Sequence, residues 1–196
     1  MGIFKLKKRF DYEYITSDEF LNAIRLVMGS IDLDPFSSDL ANEFVEATTY
    51  YTIKDDSMNP EKPWTGNVYV FPPNTIYSYN SQEGKYKCVS GYTPTMVGGA
   101  RLAFKNLYKF YLQGHVNQAF YFTNNFGLLA VEQNVFKFPV CIVRGSSNRL
   151  YLNDGHELRT HKTGPVFFVY MPPKDNVNEA IQLFSDTFKC FGHIVT

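Results

Sequence analysis

Two short segments carry residue types that could do chemistry, and each ends a run that reads as a β-strand. The first is Asp32-Leu33-Asp34-Pro35-Phe36-Ser37-Ser38. Side chains alternate along an extended chain, so Asp32 and Asp34 share a side. A carboxylate at a strand end can accept both hydroxyls of a ribose, and a charge-assisted hydrogen bond of that kind contributes about 1.5–3 kcal/mol. Asp34 is equally suited to cap the turn that follows it, and spacing alone leaves both readings open. The second segment is Val70-Phe71-Pro72-Pro73-Asn74. Neither proline has an N–H, so ladder pairing ends there and nearby carbonyls are left as acceptors. A rigid corner with a free carbonyl can hold an amine; a Pro-Pro pair also occurs in plain loops.

The elements around these segments must position them. Ligands in open α/β sheets bind at the carboxyl ends of the strands. A helix is expected from about Thr16, where Thr16 and Glu19 have capping-box spacing. Phe20, Leu21, Ile24, Val27 and Met28 continue it with helical period, and Gly29 stops it. Residues 30–33 read as a short strand. Ser37 or Ser38 then caps a helix with Ala41, Phe44 and Val45 on one face. Residues 67–71 are rich in β-formers. Residues 74–94 read as a long polar, Tyr-rich loop. A long helix follows, with Val97, Ala100, Phe104, Leu107, Tyr108 and Tyr111 on its apolar stripe and Gly114 at its end.

The second half alternates again. Strands are expected at 118–123, 139–143 and 165–170, with a short helical stretch between the first two. Asn153-Asp154-Gly155 is a hairpin turn signal. A last helix spans about 177–190 with Val177, Ala180, Ile181, Phe184 and Phe188 inward, and His193-Ile194-Val195 reads as an edge strand. Alternating strands and helices predict a single α/β domain with a mostly parallel central sheet and helices on both faces.

Composition narrows the function classes. The 196 residues suit one domain, and 44% hydrophobic residues suit a packed core. A formal charge of zero argues against a whole-surface grip on nucleic acid but allows a local basic patch. Lys5, Lys7, Lys8 and Arg9 read either as a phosphate contact or as a solvated arm. Cys88, Cys141 and Cys190 lack CxxC spacing, which favours a reducing cytoplasm over a disulfide framework or zinc site. His156-Glu157 and His161 miss the His-Glu-x-x-His zinc spacing by one residue, so no metal is expected. No hydrolase elbow or phosphate loop of the Walker type occurs. No apolar run approaches the ~20 residues of a membrane span. Tyr77, Tyr79, Tyr86 and Tyr92, with Lys85 and Lys87, form either a DNA-facing loop with stacking platforms or a Tyr-rich surface hairpin.

From Thr16 to Asn74 the order and spacing of short motifs are similar to those of the phage DNA N-6-adenine methyltransferase family. The residues are Asp32-Leu33-Asp34-Pro35-Phe36-Ser37-Ser38, Ala41-Asn42, Tyr50-Tyr51-Thr52, Pro63-Trp64-Thr65-Gly66 and the strand ending in Pro72-Pro73. The resemblance implies a Rossmann-like methyltransferase fold, S-adenosylmethionine as cofactor, and methyl transfer to the exocyclic amine of adenine in DNA after base flipping. It implies the host cytoplasm as location if the chain is phage-encoded. Asp32, Asp34, Pro35 and Ser37 would line the cofactor pocket, joined by Thr16 and Asn42. Phe71, Pro72, Pro73 and Asn74 would stand at the catalytic position, with Tyr77, Tyr79, Lys85 and Lys87 toward DNA. The family's Asn-Pro-Pro-Tyr is Phe-Pro-Pro-Asn here. Phe71 cannot accept a hydrogen bond, and Asn74 cannot stack as a tyrosine does. Three readings follow: an active enzyme in which Asn74 accepts and Tyr77 or Tyr79 stacks, an enzyme for another base or amine, or a family member that binds cofactor, DNA or a partner without catalysis.

Overall fold

Along the central strands, apolar side chains alternate between two faces, and helices cover both. The structure, a computed structural model, describes residues 14–59, 62–73, 76–83, 85–88, 96–145, 149–152, 157–159 and 165–196. Seven strands form the main sheet: β2 (Leu33–Asp34), β3 (Thr49–Tyr50), β4 (Gly66–Val70), β8 (Val116–Thr123), β9 (Val140–Val143), β12 (Phe167–Met171) and β13 (Gly192–Val195). Their order is β3-β2-β4-β8-β12-β9-β13. The four strands β3, β2, β4 and β8 pair parallel. β12 runs against both β8 and β9, and β13 runs against β9. Five strands therefore point one way, β9 among them, while β12 and β13 are reversed. The sheet is mixed, with antiparallel pairing confined to the half beyond β8.

One face carries Tyr69, Phe120, Phe122, Cys141, Phe168 and Tyr170 against α1 (Asp18–Met28) and α5 (Val177–Phe188). Phe20, Ile24, Phe184 and Phe188 fill that layer and are fully buried. The opposite face carries Val68, Val70, Ala119, Tyr121, Phe167 and Val169 against α3 (Gly99–Leu112). Leu128 of α4 (Gly127–Val131) joins that layer, as does Val135 of a 3-10 turn at Gln133–Lys137. Trp64, also fully buried, anchors the approach to β4 and donates its indole N–H to the Ser57 carbonyl at 3.1 Å.

Two three-stranded sheets flank the main one. β1 (Tyr14–Thr16) pairs with β10 (Arg149–Leu152), which pairs with β11 (Glu157–Arg159). The Asn153-Asp154-Gly155 turn lies outside the described residues, but the antiparallel strands on either side of it form the expected hairpin. β5 (Ile76–Asn80) pairs with β6 (Lys85–Cys88) and β7 (Met96–Gly98).

Several local expectations need correction. The segment after Pro73 is not a plain loop, because β5 and β6 occupy much of it, and Val97 belongs to β7 rather than to the helix. The first helix begins at Asp18, with Ser17 at the N-cap position and Thr16 in β1. Pairing with β10 keeps Thr16 extended, so the capping box with Glu19 does not form. α2 (Asp39–Val45) starts as expected, with the Ser38 hydroxyl accepting the Ala41 N–H at 3.0 Å. Only Ala41 and Val45, four residues apart, face inward on this short helix, and Phe44 is 38% exposed.

Candidate functional site

The parallel strands β2 and β4 are neighbours, with Leu33 beside Val68. The helices that follow them leave in opposite directions. α2 follows β2 and puts Val45 into the layer of α1 and α5. α3 follows β4 and fills the other layer. Strand order also reverses here, since the chain steps from β2 outward to β3, returns to β4 on the other side, and continues to β8. In α/β sheets as a class, the carboxyl ends of strands at such a switch point border the crevice in which ligands bind. Asp34 ends β2, and Phe71-Pro72-Pro73 follows β4. The two segments singled out by chemistry thus meet at one edge of the sheet, separated in sequence but adjacent in space.

Asp34 is buried, 2% exposed, and its Oδ1 accepts the Phe36 N–H at 3.0 Å. The turn-capping reading is therefore realised in the structure. Its carbonyl accepts the Tyr51 N–H at 2.9 Å, which continues the β2–β3 ladder. Pro35 is buried behind it. Ser37 is buried too; its N–H donates to the Tyr51 carbonyl at 2.8 Å and its hydroxyl to the Ser38 carbonyl at 3.5 Å.

Asp32 behaves differently from Asp34. Its Oδ2 accepts the Asn67 N–H at 2.8 Å and its Oδ1 the Ser30 hydroxyl at 3.0 Å. Gly66 lies against it: a Cβ there would stand 2.4 Å from Oδ2. Asp32 ties the start of β4 to β2, at the end of the strands opposite the crevice. Asn42 is likewise occupied. Its amide donates to the Ala47 carbonyl at 3.3 Å and accepts the Ala47 N–H at 3.0 Å, closing the turn after α2.

The start of α1 adds a polar group to the Asp34 side. Thr16, 2% exposed, shares a hydrogen bond with the Tyr69 hydroxyl at 2.5 Å. Burial pushes the Tyr69 phenol well above its ordinary pKa; the Thr16 bond opposes this, and the charge of Asp34 adds to it. That coupling puts Asp34 within electrostatic reach of Tyr69. Ser17 is 3% exposed, and its Oγ is buried with no hydrogen-bond partner among the described residues. A buried hydroxyl without a partner costs about 1–3 kcal/mol, so it is a natural contact for a polar ligand. The first-turn N–H groups of α1 beside it also favour an anionic or acceptor group. Sequence reading missed Ser17 because the capping-box pattern assigned the cap to Thr16; the N-cap preference of serine was the available signal.

No family model, curated protein or solved structure matches this chain. Its site must be read from its own geometry.

Phe71, at the position that the sequence resemblance makes catalytic, is partly buried, its ring centroid 4.7 Å from that of Phe122. Pro72 is buried and Pro73 exposed, while Asn74 lies outside the described residues. Tyr77 is half-buried against the α3 layer. Tyr79 stands opposite Tyr86, and Lys85 opposite Asn80, in the β5–β6 ladder; the side chains of Tyr79 and Lys85 lie outside the described set. Lys87 is exposed and paired with Glu83. Among the described residues, no helix is long and apolar enough to cross a membrane, and no cluster of His, Cys, Asp and Glu is arranged to hold a metal ion.

Proposed function

We propose that the protein is an S-adenosylmethionine-dependent DNA methyltransferase acting on the exocyclic amine of adenine, with its site in the crevice between β2 and β4. The observation that carries this reading is the meeting of Asp34 and the Pro72-Pro73 corner at the carboxyl ends of adjacent parallel strands. S-adenosylmethionine supplies a methyl group activated on a sulfonium. Asp34 suits the ribose hydroxyls, because it places a buried carboxylate at the carboxyl end of β2. The buried Ser17 hydroxyl and the first turn of α1 suit the carboxylate of the methionine moiety. The Pro72 carbonyl is placed in sequence to accept a hydrogen bond from the target amine and so orient the nitrogen lone pair.

A second reading has its own support. Phe71 is engaged in packing on Phe122, so its place holds an apolar contact where an amine-binding acceptor is needed. A cofactor- or DNA-binding protein without turnover fits that contact better.

Calorimetry and methyl incorporation test the two together. Asp34→Ala should weaken S-adenosylmethionine binding by about one to two decades, the loss of a charge-assisted hydrogen bond. Equal binding by both variants, or none by the native chain, refutes the cofactor site. Nucleoside mass spectrometry of treated DNA then separates the readings: adenine methylated on its amine supports the enzyme, and retained cofactor binding without product supports the binding protein.

A further inference from the structure

α3 turns its apolar stripe to the sheet and a basic row outward. Arg101, Lys105 and Lys109 stand four residues apart, so they align along one side of the helix at intervals of about 6 Å. No acidic residue occurs in α3. Arg101 approaches a carboxylate, its Nε 3.9 Å from Glu132 Oε2. Lys105 and Lys109 are exposed and have no ion pair among the described residues.

Beside this row lies a groove of about 330 Å³, between α3 and the 3-10 turn at Gln133–Lys137. That volume falls within the range of small-molecule sites, which are mainly apolar with a few convergent polar groups. Phe104 and Tyr108 supply an apolar wall, their rings near-parallel at 12° with centroids 6.4 Å apart. Lys105 and Lys109 line the groove from α3, and Glu132 and Asn134 line it from the facing segment. Glu132 is 6% exposed, and its Oε1 accepts the Asn134 amide N–H at 2.9 Å. Arg101 Nε is too distant to donate to Oε2 and is buried without a hydrogen-bond partner. A carboxylate offers about four acceptor positions, so Glu132 keeps capacity for a donor from a ligand. The groove sits in the layer of α3, across the sheet from α1, and neither Asp34 nor Pro72 lines it.

We propose that this groove is a separate ligand site that takes a nucleoside monophosphate. The base lies along the wall of Phe104 and Tyr108 and donates an N–H to Glu132. The phosphate is held by Lys105 and Lys109. The combination of a buried acceptor, an apolar wall and two unpaired cations within one ligand-sized space is what a nucleotide requires and a bare anion does not. The proposal does not rest on the methyltransferase reading.

Isothermal titration calorimetry of the full chain with AMP tests it, with adenosine and ribose 5-phosphate as the two half-ligands. AMP should bind more tightly than either. Lys105→Gln with Lys109→Gln should weaken AMP by at least about tenfold, the loss of charge-assisted contacts, and leave adenosine unchanged. Both lysines are exposed, so this variant should fold as the native chain does. Glu132→Gln should weaken AMP and adenosine several-fold and leave ribose 5-phosphate unchanged. Lys189→Gln, at the end of α5 on the other face of the sheet, should change nothing. No AMP binding by the native chain, or equal AMP binding by the double lysine variant, overturns the proposal. Ribose 5-phosphate binding as tightly as AMP reduces the groove to an anion site and also overturns it. Poly-glutamate bound through the two lysines in place of AMP assigns the groove to an acidic protein partner, with the same result. S-adenosylmethionine separates this site from the crevice: AMP displaced by it overturns the groove, whereas AMP bound through the lysines with no S-adenosylmethionine binding at all defeats only the methyltransferase reading.

Discussion

Phe71 packs its ring on Phe122 with centroids 4.7 Å apart, and Phe122 in turn stacks on Phe168 at 4.3 Å. Phe71, the residue at the proposed catalytic position, is thus the outer member of an aromatic series that runs into the core layer of α1 and α5. Phe71→Asn removes that contact and sets an amide against aromatic carbon. It should destabilise the fold by about 2 kcal/mol, measured by urea denaturation, with Phe71→Leu costing less. If Asn is tolerated without loss, the aromatic contact is incidental and the position is free for catalysis. The double change Phe71→Asn with Asn74→Tyr then tests chemistry. A rise in methyl incorporation supports a site weakened by these two residues, and abolition of a native rate that is already robust shows a pocket adapted around Phe71.

Tyr69 and Thr16 share a buried hydrogen bond, so Tyr69→Phe strands the threonine hydroxyl. The expected cost is about 1–3 kcal/mol. Thr16→Val added to Tyr69→Phe should recover much of it, because both polar ends are then gone. A double-mutant cycle in denaturant that proves simply additive would sink this account.

Asp32 and Asp34 should separate cleanly in experiment. Asp32→Ala releases the Asn67 N–H and the Ser30 hydroxyl and should lower stability by about 1–2 kcal/mol, with cofactor affinity of the folded protein unchanged. Gly66→Ala should be worse, since the residue has φ of +77° as well as the 2.4 Å approach to Asp32. Thermal unfolding of the three variants, native, Asp32→Ala and Gly66→Ala, gives the ranking; Gly66→Ala at native stability contradicts it.

Alkaline pH should unfold the protein through its buried tyrosines. Burial raises the phenols of Tyr69, Tyr121 and Tyr170 above their ordinary value. In the unfolded chain they lose their protons near pH 10. Above that pH the folded state holds protons that the unfolded state has released, so stability is full below about pH 10 and falls as pH rises beyond it. The slope from three such groups is about 4 kcal/mol per pH unit. Denaturant midpoints from pH 8 to 11 check it, and a flat profile contradicts the burial of these hydroxyls.

Much of this architecture was readable where one physical signal dominates. Val68, Tyr69 and Val70 announce β4, and the period of Phe20, Leu21, Ile24 and Val27 announces α1. The segments at Asp34 and Pro72 were readable as strand ends because prolines stop ladders. The different roles of Asp32 and Asp34 were not, because the partner of Asp32 is a backbone N–H thirty-five residues away. The sheet of β5, β6 and β7 was hidden by its composition, since tyrosine, serine, asparagine and lysine give no clear apolar face. β1 was hidden by length: three residues carry no periodicity, and only pairing with β10 makes them a strand.

The reversed strand β12 has a consequence for how the chain is made. β8 and β9 leave the ribosome before it, yet the two do not pair with each other in the finished sheet; β12 lies between them and pairs with both. During synthesis β8 stands with one open edge, and Phe120 and Phe122 lack Phe168 and Phe188 to cover them. The β10–β11 excursion sets how long that edge stays open, since every residue inserted between β9 and β12 delays closure. A nascent chain stalled before Phe167 would therefore offer a strand edge and bare aromatic surface to chaperones, or to other unfinished copies of itself.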